Sequence, residues 1–493
     1  MPLISLLSSR HRRKISVLAF WSLTVLMILP VWLIDPLPLV DLPSHIARAD
    51  ILDRYSETPF LQSVYYMVVE PIPNVGIDLL MMAMLKVLPV ALASKLLVSV
   101  IILLYVVGVR RIFEIFQPES WWLLWVAPLL AYHAMFIYGF LNYDLGIGLF
   151  FLTFAYWFIR REKLKFGEGI IFTLLAAACY LSHLSSYALL LVGVATITAY
   201  DLYHRKESRK RILMAAVPVL LPLVMLFWFF QGTGSNRGMV YGSLKGKITS
   251  FLVMVTSYRV TFDLVLIIVL LLLALVGFLI AREKKMHPEA LLLALAFGAA
   301  YVLCPGGLVT ASMADARIVP AFFVFLLAAI SFKLPSGSYK LLLPLALGLL
   351  GLRVLLVVID WSSISARMEK DLELSRIIPE HARVRALYYD DVVVLNKRER
   401  AFRHLPSYLM LEKDMVVTNY FGQAGMQPVV FREQPADVPL HRDMQLDQRS
   451  LDSLITGFDH IWAYKLTPEH TSALGSRYSL ISSNEELSIY RVK

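Results

Sequence analysis

Three polar residues near the start of the chain, Asp41, His45 and Arg48, have side chains suited to acid–base chemistry. If a helix begins near Pro43, His45 and Arg48 are three positions apart and share one face. A carboxylate such as that of Asp41 can act as a general base towards a hydroxyl group. A carboxylate at this position can instead cap the helix, so residue type alone leaves both roles open.

Two further polar residues lie beside apolar runs. Asp144 follows Asn142-Tyr143 and is either a second functional acid or the cap of the helix that begins there. His183 lies among Ser182, Ser185 and Ser186, where it is either a ligand for a phosphate or hydroxyl group or a buried, hydrogen-bonded histidine.

Arg317 gives a sharper signal, because it opens an apolar run within Asp315-Ala316-Arg317-Ile318-Val319-Pro320. Its guanidinium offers several hydrogen-bond donors in a geometry that matches a phosphate group. We therefore expect Arg317 to bind a lipid-linked phosphate. The alternative is an arginine that reaches from a helix end to the membrane interface.

The segment from Gln231 to Arg259 is basic and rich in glycine. It contains Arg237, Lys245, Lys247 and Arg259 and no acidic residue. Arg237 and Arg259 are therefore candidates to help Arg317 and His183 bind a polyanionic headgroup. Simple attraction to anionic lipids is the alternative.

The composition of the chain indicates what kind of segments carry these residues. Of the 493 residues, 58% are hydrophobic and 17% are charged, whereas soluble proteins carry about a quarter charged residues. The excess forms long apolar runs, which predict a polytopic membrane protein and exclude a soluble enzyme. Residues 360–493 hold 17 basic and 19 acidic residues, so the net charge of +10 originates in the first 359 residues. Basic cytoplasmic loops explain this excess better than nucleic-acid binding, which we do not expect.

Charged flanks predict how the chain crosses the membrane. Basic residues precede Ile15–Ile34, which we interpret as an anchor whose N-terminal end is cytoplasmic. Residues 35–95 are acidic near their start and form the first outer loop, with surface helices. We interpret Ile77–Val90 as a helix on the outer surface. If it crossed the membrane instead, His183 and Arg317 would lie on the cytoplasmic side.

The run from Gly169 to Tyr200 predicts a hairpin. Its 32 residues would form a helix of about 48 Å, against a hydrocarbon core of about 30 Å. Because both flanks are basic, the run returns to the side from which it came, with its tip near Ser182–Ser186. With the anchor and this hairpin the prediction reaches about eleven spans; the others are Leu96–Val109, Trp121–Phe140, Leu145–Ile159, Ile212–Phe230, Thr261–Ile280, Ala290–Leu303, Ile318–Phe332 and Leu341–Ile359. In this topology every candidate residue lies on the outer side.

The sequence pattern changes after residue 359, where long apolar runs give way to short β-like runs among polar stretches. Residues 1–359 form the predicted membrane domain, and residues 360–493 form a small α/β domain on the outer side. Short β-like runs define the second domain: Arg385–Tyr389, Val392–Leu395, Met415–Thr418, His460–Tyr464 and Leu487–Val492. A helix over Leu451–Gly457 is predicted to precede His460–Tyr464.

This layout resembles the GT-C superfamily of membrane glycosyltransferases. The resemblance rests on the first-loop Asp41, the surface helix, Asp144, the hairpin with His183, the Ala-Arg-Ile-Val-Pro span start and the outer α/β domain. It implies a mainly α fold in which Asp41 is catalytic, Asp144 is the second acid and Arg317 meets the donor phosphate. Asp41 is followed by Leu-Pro-Ser-His rather than a second acid, and no Trp-Trp-Asp motif is present, so an oligosaccharyltransferase is not expected.

The resemblance implies transfer of a sugar from a polyprenyl-phosphate donor to a lipid, glycan or protein acceptor. Asp41 would act on the acceptor with His45 steadying it, and Arg48 would serve as an auxiliary or acceptor-binding residue. No metal-binding residues are predicted, and dependence on a divalent metal stays open. A bacterial inner membrane with a periplasmic C-terminal domain is the expected location. A carrier or flippase for a lipid-linked or polyanionic substrate, and a non-catalytic assembly protein for envelope polysaccharide, are the alternatives.

Overall fold

The computed structural model describes most of the chain: residues 9–68, 70, 72–118, 123, 126–204, 209–232, 238–281, 283–308, 311–332, 339–389, 397–418, 427–433 and 455–493. Arg237 and the predicted strand Val392–Leu395 lie outside the described residues. Residues 451–454, in the predicted helix before His460, also lie outside them.

The first three quarters of the chain are helical. The helices are α1 (Ser9–Leu33), α2 (Leu42–Arg54), α3 (Pro59–Val64), α4 (Gly76–Leu85), α5 (Val90–Phe116), α6 (Val126–Leu129), α7 (Ala134–Ile137), α8 (Leu141–Arg160), α9 (Phe166–Ser182), α10 (Leu184–His204), α11 (Arg209–Ala216), α12 (Leu223–Gly232), α13 (Leu244–Met254), α14 (Val260–Ile280), α15 (Pro288–Leu303), α16 (Val319–Ala329) and α17 (Tyr339–Ser375). Short 3-10 helices occupy Val217–Leu220 and Ala316–Ile318. The strands here are β1 (Tyr65–Met67), β2 (Met239–Val240), β3 (Lys284–Met286), β4 (Gly307–Leu308), β5 (Ala311–Ser312) and β6 (Ile330–Phe332).

Long apolar helices make this part a membrane domain. Among the described residues, six helical stretches are long and apolar enough to cross a bilayer; they are Ser16–Leu33, Val90–Phe116, Leu184–His204, Arg209–Phe229, Val260–Ile280 and Leu347–Ser375. Four shorter apolar helices accompany them. The mainly α, polytopic architecture is therefore confirmed, while the number of about eleven spans stays a prediction.

Helix α4 is too short to span a bilayer as a single straight helix. It has 10 residues and measures about 15 Å, half the thickness of the hydrocarbon core. It packs against α2 and against the end of α9, with Gly76 in close contact with Ser182. Helix α4 therefore lies at the end of the membrane domain that carries Asp41, and its position on the outer surface stays a prediction.

The predicted hairpin is present. Helices α9 and α10 are broken only at His183, and their rings Tyr180 and Tyr187 lie 5.8 Å apart beside the break. Both helices pack on α8, where Gly146 is close to His183 and Ser186. The tip therefore lies at the start of α8, next to Asp144.

The prediction of one continuous span over Trp121–Phe140 is wrong for the described residues. Helices α5 and α8 run in the same direction, because Tyr105 contacts Phe151 and Phe116 contacts Phe158. The chain between them must return across the domain. It returns through α6 and α7, each of four residues, with a break at Tyr132 and His133. The break brings a histidine and a turn into the interior beside α8.

Helix α17 joins the membrane domain to the C-terminal region. Its 37 residues span about 55 Å, well beyond the hydrocarbon core. The predicted domain boundary at residue 359 falls inside this helix. Trp462 donates to Ser375 Oγ at 3.0 Å, so the end of α17 lies against the C-terminal sheet.

The C-terminal region contains the predicted small α/β unit. Its elements are β7 (Arg383–Leu387), α18 (Lys397–Arg400), α19 (Leu409–Glu412), β8 (Val416–Val417), β9 (Val429–Phe431), β10 (His460–Tyr464), α20 (Pro468–Gly475), β11 (Tyr478–Ser483) and β12 (Leu487–Val492), with a 3-10 helix at Leu405–Tyr408. Five strands form a mixed sheet in the order β11-β12-β10-β7-β8, parallel between β10, β7 and β8. The predicted strands His460–Tyr464 and Leu487–Val492 are confirmed with their bounds. Every residue of β10 is buried, as expected of a central strand covered on both faces.

Contacts across the chain tie this region to the first loop. Strand β1 pairs antiparallel with β9, so a strand of the loop after α2 shares a sheet with residue 431. Arg54 Nη1 contacts Asp414 Oδ1 at 2.9 Å, and Arg48 Nη1 donates to Gln427 Oε1 at 2.5 Å. The first loop and the C-terminal region therefore build one end of the molecule together.

Candidate active site

Asp41 is held by the turn that precedes α8. Its amide donates to the Tyr138 carbonyl at 3.1 Å, and the Val40 amide donates to the Ile137 carbonyl at 3.4 Å. Asp41 occupies the N-cap position of α2, yet its side chain makes no capping hydrogen bond. The carboxylate is thus aimed elsewhere, which favours the functional interpretation over the cap.

Gly139 allows this close approach. It has a φ of +71°, and a Cβ atom there would lie 2.8 Å from the Asp41 amide nitrogen. Only glycine adopts this conformation without strain and leaves room for the neighbouring backbone.

Gly139→Ala is therefore expected to destabilise the protein and displace Asp41. The strained backbone alone costs about 1–3 kcal/mol, and the clash adds to it. Thermal unfolding in detergent measures the loss. Gly348→Ala in α17 is the matched control, because a Cβ there has open space. Equal melting temperatures for the two variants would contradict the described geometry.

The carboxylate of Asp41 lies among basic side chains. Asp41 is 8% exposed, and burial raises its pKa to about 7, although Arg403, Arg317, Arg400 and Arg48 act in the opposite direction. A carboxylate with a pKa near 7 changes its ionisation in the physiological range, which suits a general base.

His45 and Arg48 form a buried network with Asp78 of α4. Arg48 Nε and Nη2 contact the two oxygens of Asp78 at 2.6 and 3.0 Å, and Arg48 Nη2 lies 2.9 Å from His45 Nδ1. The charge of Arg48 is therefore balanced by a residue 30 positions away. Burial lowers the pKa of His45 well below its usual range, and Arg48 adds to this effect, so the imidazole is neutral.

Arg317 and His183 meet in the structure. Arg317 Nη1 lies 3.2 Å from His183 Nε2, although 134 residues separate them in sequence. Both side chains are 8% exposed. The 3-10 helix Ala316–Ile318 positions Arg317, whose carbonyl accepts from the Tyr143 hydroxyl at 2.8 Å.

The tautomer of His183 indicates what kind of ligand the pair can bind. The Ser185 amide donates to His183 Nδ1 at 3.0 Å, so Nδ1 carries a lone pair and Nε2 carries the proton. Nε2–H and the Arg317 guanidinium are then two adjacent donors. Arg317 Nε is also buried without a hydrogen-bond partner. An anionic oxygen that bridges His183 Nε2–H and the Arg317 guanidinium would accept a hydrogen bond from both side chains.

Asp144 lies in the first turn of α8, near the same pair. The helix begins at Leu141, so Asp144 is not its N-cap residue. The carboxylate is 2% exposed, and neither oxygen has a hydrogen-bond partner. His133 Nε2 approaches Oδ1 at 3.5 Å from the break in the returning segment. Buried acceptors without donors are costly, so this carboxylate is suited to accept from a bound hydroxyl.

The basic segment before α14, expected to help bind a polyanionic headgroup, forms ion pairs within the protein. Arg259 contacts both oxygens of Asp360 on α17, at 3.0 and 3.1 Å. Lys247, on α13, contacts Oδ2 of Asp315 at 3.1 Å, and Asp315 is two residues before Arg317. The guanidinium of Arg259 is thus engaged in an ion pair within the protein. The roles of Arg259 and Arg237 in phosphate binding stay predictions.

Sequence reasoning missed the residues that the C-terminal region contributes. His404 Nε2 lies 3.5 Å from Asp41 Oδ1, and Arg400 and Arg403 are near enough to lower the pKa of Asp41. The only sequence signal was the density of charge in Lys-Arg-Glu-Arg-Ala-Phe-Arg-His from residue 397 to 404.

A group of potential metal ligands lies away from Asp41 and Arg317. Glu380, His381 and Asp414 bring ligand atoms within 4.8 Å of one another. Glu380 and His381 are exposed, and Asp414 also contacts Arg54. Within the part of the chain that the structure describes, Asp41 and Asp144 belong to no such group.

Comparison with known proteins identifies solved structures of the same fold. No protein-family model matches the sequence, and no curated protein matches it. The crystal structure of ArnT from Cupriavidus metallidurans bound to undecaprenyl phosphate is similar, with a TM-score of 0.53, 12% identity, and coverage of 96% of this chain and 97% of that one. Its apo structure gives a TM-score of 0.51 with the same identity and coverage. The chain therefore has the fold of ArnT.

Proposed function

We propose that this protein is a membrane glycosyltransferase that transfers a sugar from a polyprenyl-phosphate donor to an acceptor hydroxyl or other nucleophile. One observation carries the proposal: Arg317 and His183 present adjacent hydrogen-bond donors, suited to an anion, in the same buried region as Asp41. The ArnT fold supports it, because an ArnT structure holds undecaprenyl phosphate.

The residues divide the reaction between them. Asp41 takes the proton of the acceptor hydroxyl while the acceptor oxygen attacks the anomeric carbon of the sugar. The bond from that carbon to the phosphate oxygen breaks, and polyprenyl phosphate leaves with the bonding electrons. Arg317 and His183 stabilise the negative charge that grows on this phosphate. Asp144 accepts a hydrogen bond from a hydroxyl group of the donor's sugar and so orients that sugar.

The supporting roles follow from the buried network. His45 and Arg48, which Asp78 holds in place, fix the first turns of α2, the helix that Asp41 precedes. We place the site at the outer face of a bacterial inner membrane, with the N-terminus cytoplasmic and the C-terminal region periplasmic. The acceptor is a lipid, glycan or protein of the envelope.

Release of polyprenyl phosphate tests the proposal. Purified protein in lipid is given a panel of polyprenyl-phosphate sugars with crude envelope acceptors, and the freed lipid phosphate is quantified. We expect release with one donor and inversion at its anomeric carbon, because direct attack forms no covalent intermediate. Retention of configuration, or a glycosyl group trapped on Asp41, would contradict the mechanism. Failure of every donor with folded protein would favour a carrier or an assembly protein.

The rate is expected to depend on pH through Asp41. The carboxylate is the active form, and its pKa is about 7, so kcat/KM falls about tenfold for each pH unit below that value and levels off above it. A profile of kcat/KM between pH 5 and 9, recorded with one sugar donor, measures this decline, the acidic limb of the profile. In Asp41→Asn the residual rate should no longer show the acidic limb. A limb that persists near pH 7 in this variant would assign it to another group.

A further inference from the structure

The segment Lys397–His404, here called the C-terminal clasp, is fastened to several parts of the molecule. Lys397 is 1% exposed, and its ammonium donates to the Thr256 carbonyl at 2.5 Å and the Ser257 carbonyl at 2.8 Å, between α13 and α14. Arg398 forms an ion pair with Asp360 on α17. These bonds attach the clasp to the membrane domain.

Glu399 attaches the clasp to the C-terminal sheet. Its carboxylate lies 2.8 Å from Lys465 Nζ and 3.0 Å from the Tyr464 hydroxyl, both at the end of β10. Arg367 of α17 also reaches it at 3.4 Å. Consecutive residues of the clasp thus contact different elements, which fixes the position of the residues that follow.

The residue placed by this arrangement is His404. Its side chain is buried, and Nε2 lies 3.5 Å from Asp41 Oδ1. His404 caps the 3-10 helix Leu405–Tyr408, which packs against α2 and α17, and its carbonyl accepts from the Ser407 amide at 3.0 Å. The separation exceeds an ordinary hydrogen bond, but such contacts tighten when substrate binds.

We propose that His404 is a positioning residue for sugar transfer: its Nε2–H holds Oδ1 of Asp41, so that Oδ2 faces the acceptor hydroxyl. The inference rests on the proposed function and deepens it. His404 does not change its own protonation in this step. The acceptor proton moves to Asp41 Oδ2 as the acceptor oxygen bonds to the anomeric carbon, and polyprenyl phosphate leaves with its electron pair.

Removing His404 also changes the ionisation of Asp41. A donor to the carboxylate favours its charged form, so its loss raises the pKa of Asp41 further. The acidic limb of kcat/KM therefore moves to higher pH. The other charged groups that act on Asp41 come from α2, from the 3-10 helix before α16 and from the clasp: Arg48, Arg317, Arg400 and Arg403. His45 of α2 is the titratable group that acts on His404.

Paired variants at residue 404 test the role. His404→Leu is expected to lower kcat by about 10- to 100-fold with little change in KM, and to move the limb upward by about one pH unit. His404→Gln retains a donor near the position of Nε2 and is expected to recover most of both effects. His404→Asn carries a donor that is too short to reach Asp41, so it should behave like His404→Leu and serves if the leucine variant does not fold.

His460→Leu is the matched control. His460 is also buried and contacts an aspartate, Asp459, at 2.6 Å, but it lies on β10. Wild-type kcat or an unmoved limb in the leucine and asparagine variants would overturn the positioning role and leave the proposed function intact. An equal loss in His404→Gln would overturn it as well. Absence of release by the wild-type protein would overturn both proposals together.

Discussion

Asp41→Asn is expected to lower kcat by about 100- to 10,000-fold, the range for loss of a general base. Asparagine has nearly the same shape and is uncharged, so it fits the buried position without the cost of burying a carboxylate. It cannot take the acceptor proton. Initial rates of polyprenyl phosphate release, with KM determined for donor and acceptor, measure the effect.

Asp50→Asn provides the comparison within α2. Asp50 Oδ2 contacts Arg54 Nη2 at 2.6 Å in the last turns of α2, whereas Asp41 precedes the first turn of that helix. Asparagine at this position can still accept a hydrogen bond from Arg54, so the variant should remain active. A fully active Asp41→Asn enzyme would remove Asp41 as the base.

Arg317→Ala is expected to lower kcat by about 100- to 1,000-fold, as found for loss of one stabilising donor in the transition state. The guanidinium acts on charge that grows as the phosphate leaves, so kcat falls more than donor affinity. Arg317→Lys keeps the charge but loses the paired donor geometry, and we expect it to recover only part of the rate.

Arg376→Ala is the matched arginine control, because Arg376 is largely exposed and pairs with Glu412. It should leave the release kinetics unchanged. If Arg317→Ala instead raised KM with an unchanged kcat, Arg317 would bind the donor equally in ground and transition states. If neither parameter changed, Arg317 would be an arginine that only reaches the membrane interface.

The charged flanks predicted that His183 and Arg317 lie at the same end of the membrane domain. Two basic flanks around an apolar run force a hairpin, and the same flanking rule puts Arg317 at the corresponding end of a later span. What sequence does not contain is the distance between them. The 3.2 Å separation depends on how α10 packs against α8 and on the 3-10 turn before α16.

Ion pairing limited what could be predicted about the basic residues. Arg48 and Arg259 read as available cations, yet Asp78 and Asp360 neutralise them from helices 30 and 101 residues away. A buried arginine requires such a partner, but the sequence offers several candidate acids for each. Helix packing makes the choice.

The contribution of the C-terminal region was not predictable for a related reason. His404 is 363 residues from Asp41, and the residues around it read as an ordinary polar stretch between strands. The strands themselves were visible, since the alternation and β-branched content of His460–Tyr464 and Leu487–Val492 are local properties. The broken span at Tyr132 and His133 was hidden because an apolar run can form short helices as readily as one long helix.

Binding of polyprenyl phosphate tests most directly whether an anion occupies the space beside Arg317, His183 and Asp41. The purified protein is titrated with a polyprenyl phosphate and, separately, with the matching polyprenol, and both are repeated with Arg317→Ala. Saturable binding of the phosphate that the polyprenol does not match, and that Arg317→Ala weakens, is the predicted result. Equal binding of phosphate and alcohol, unchanged in the variant, would contradict the assignment of this site to a lipid phosphate.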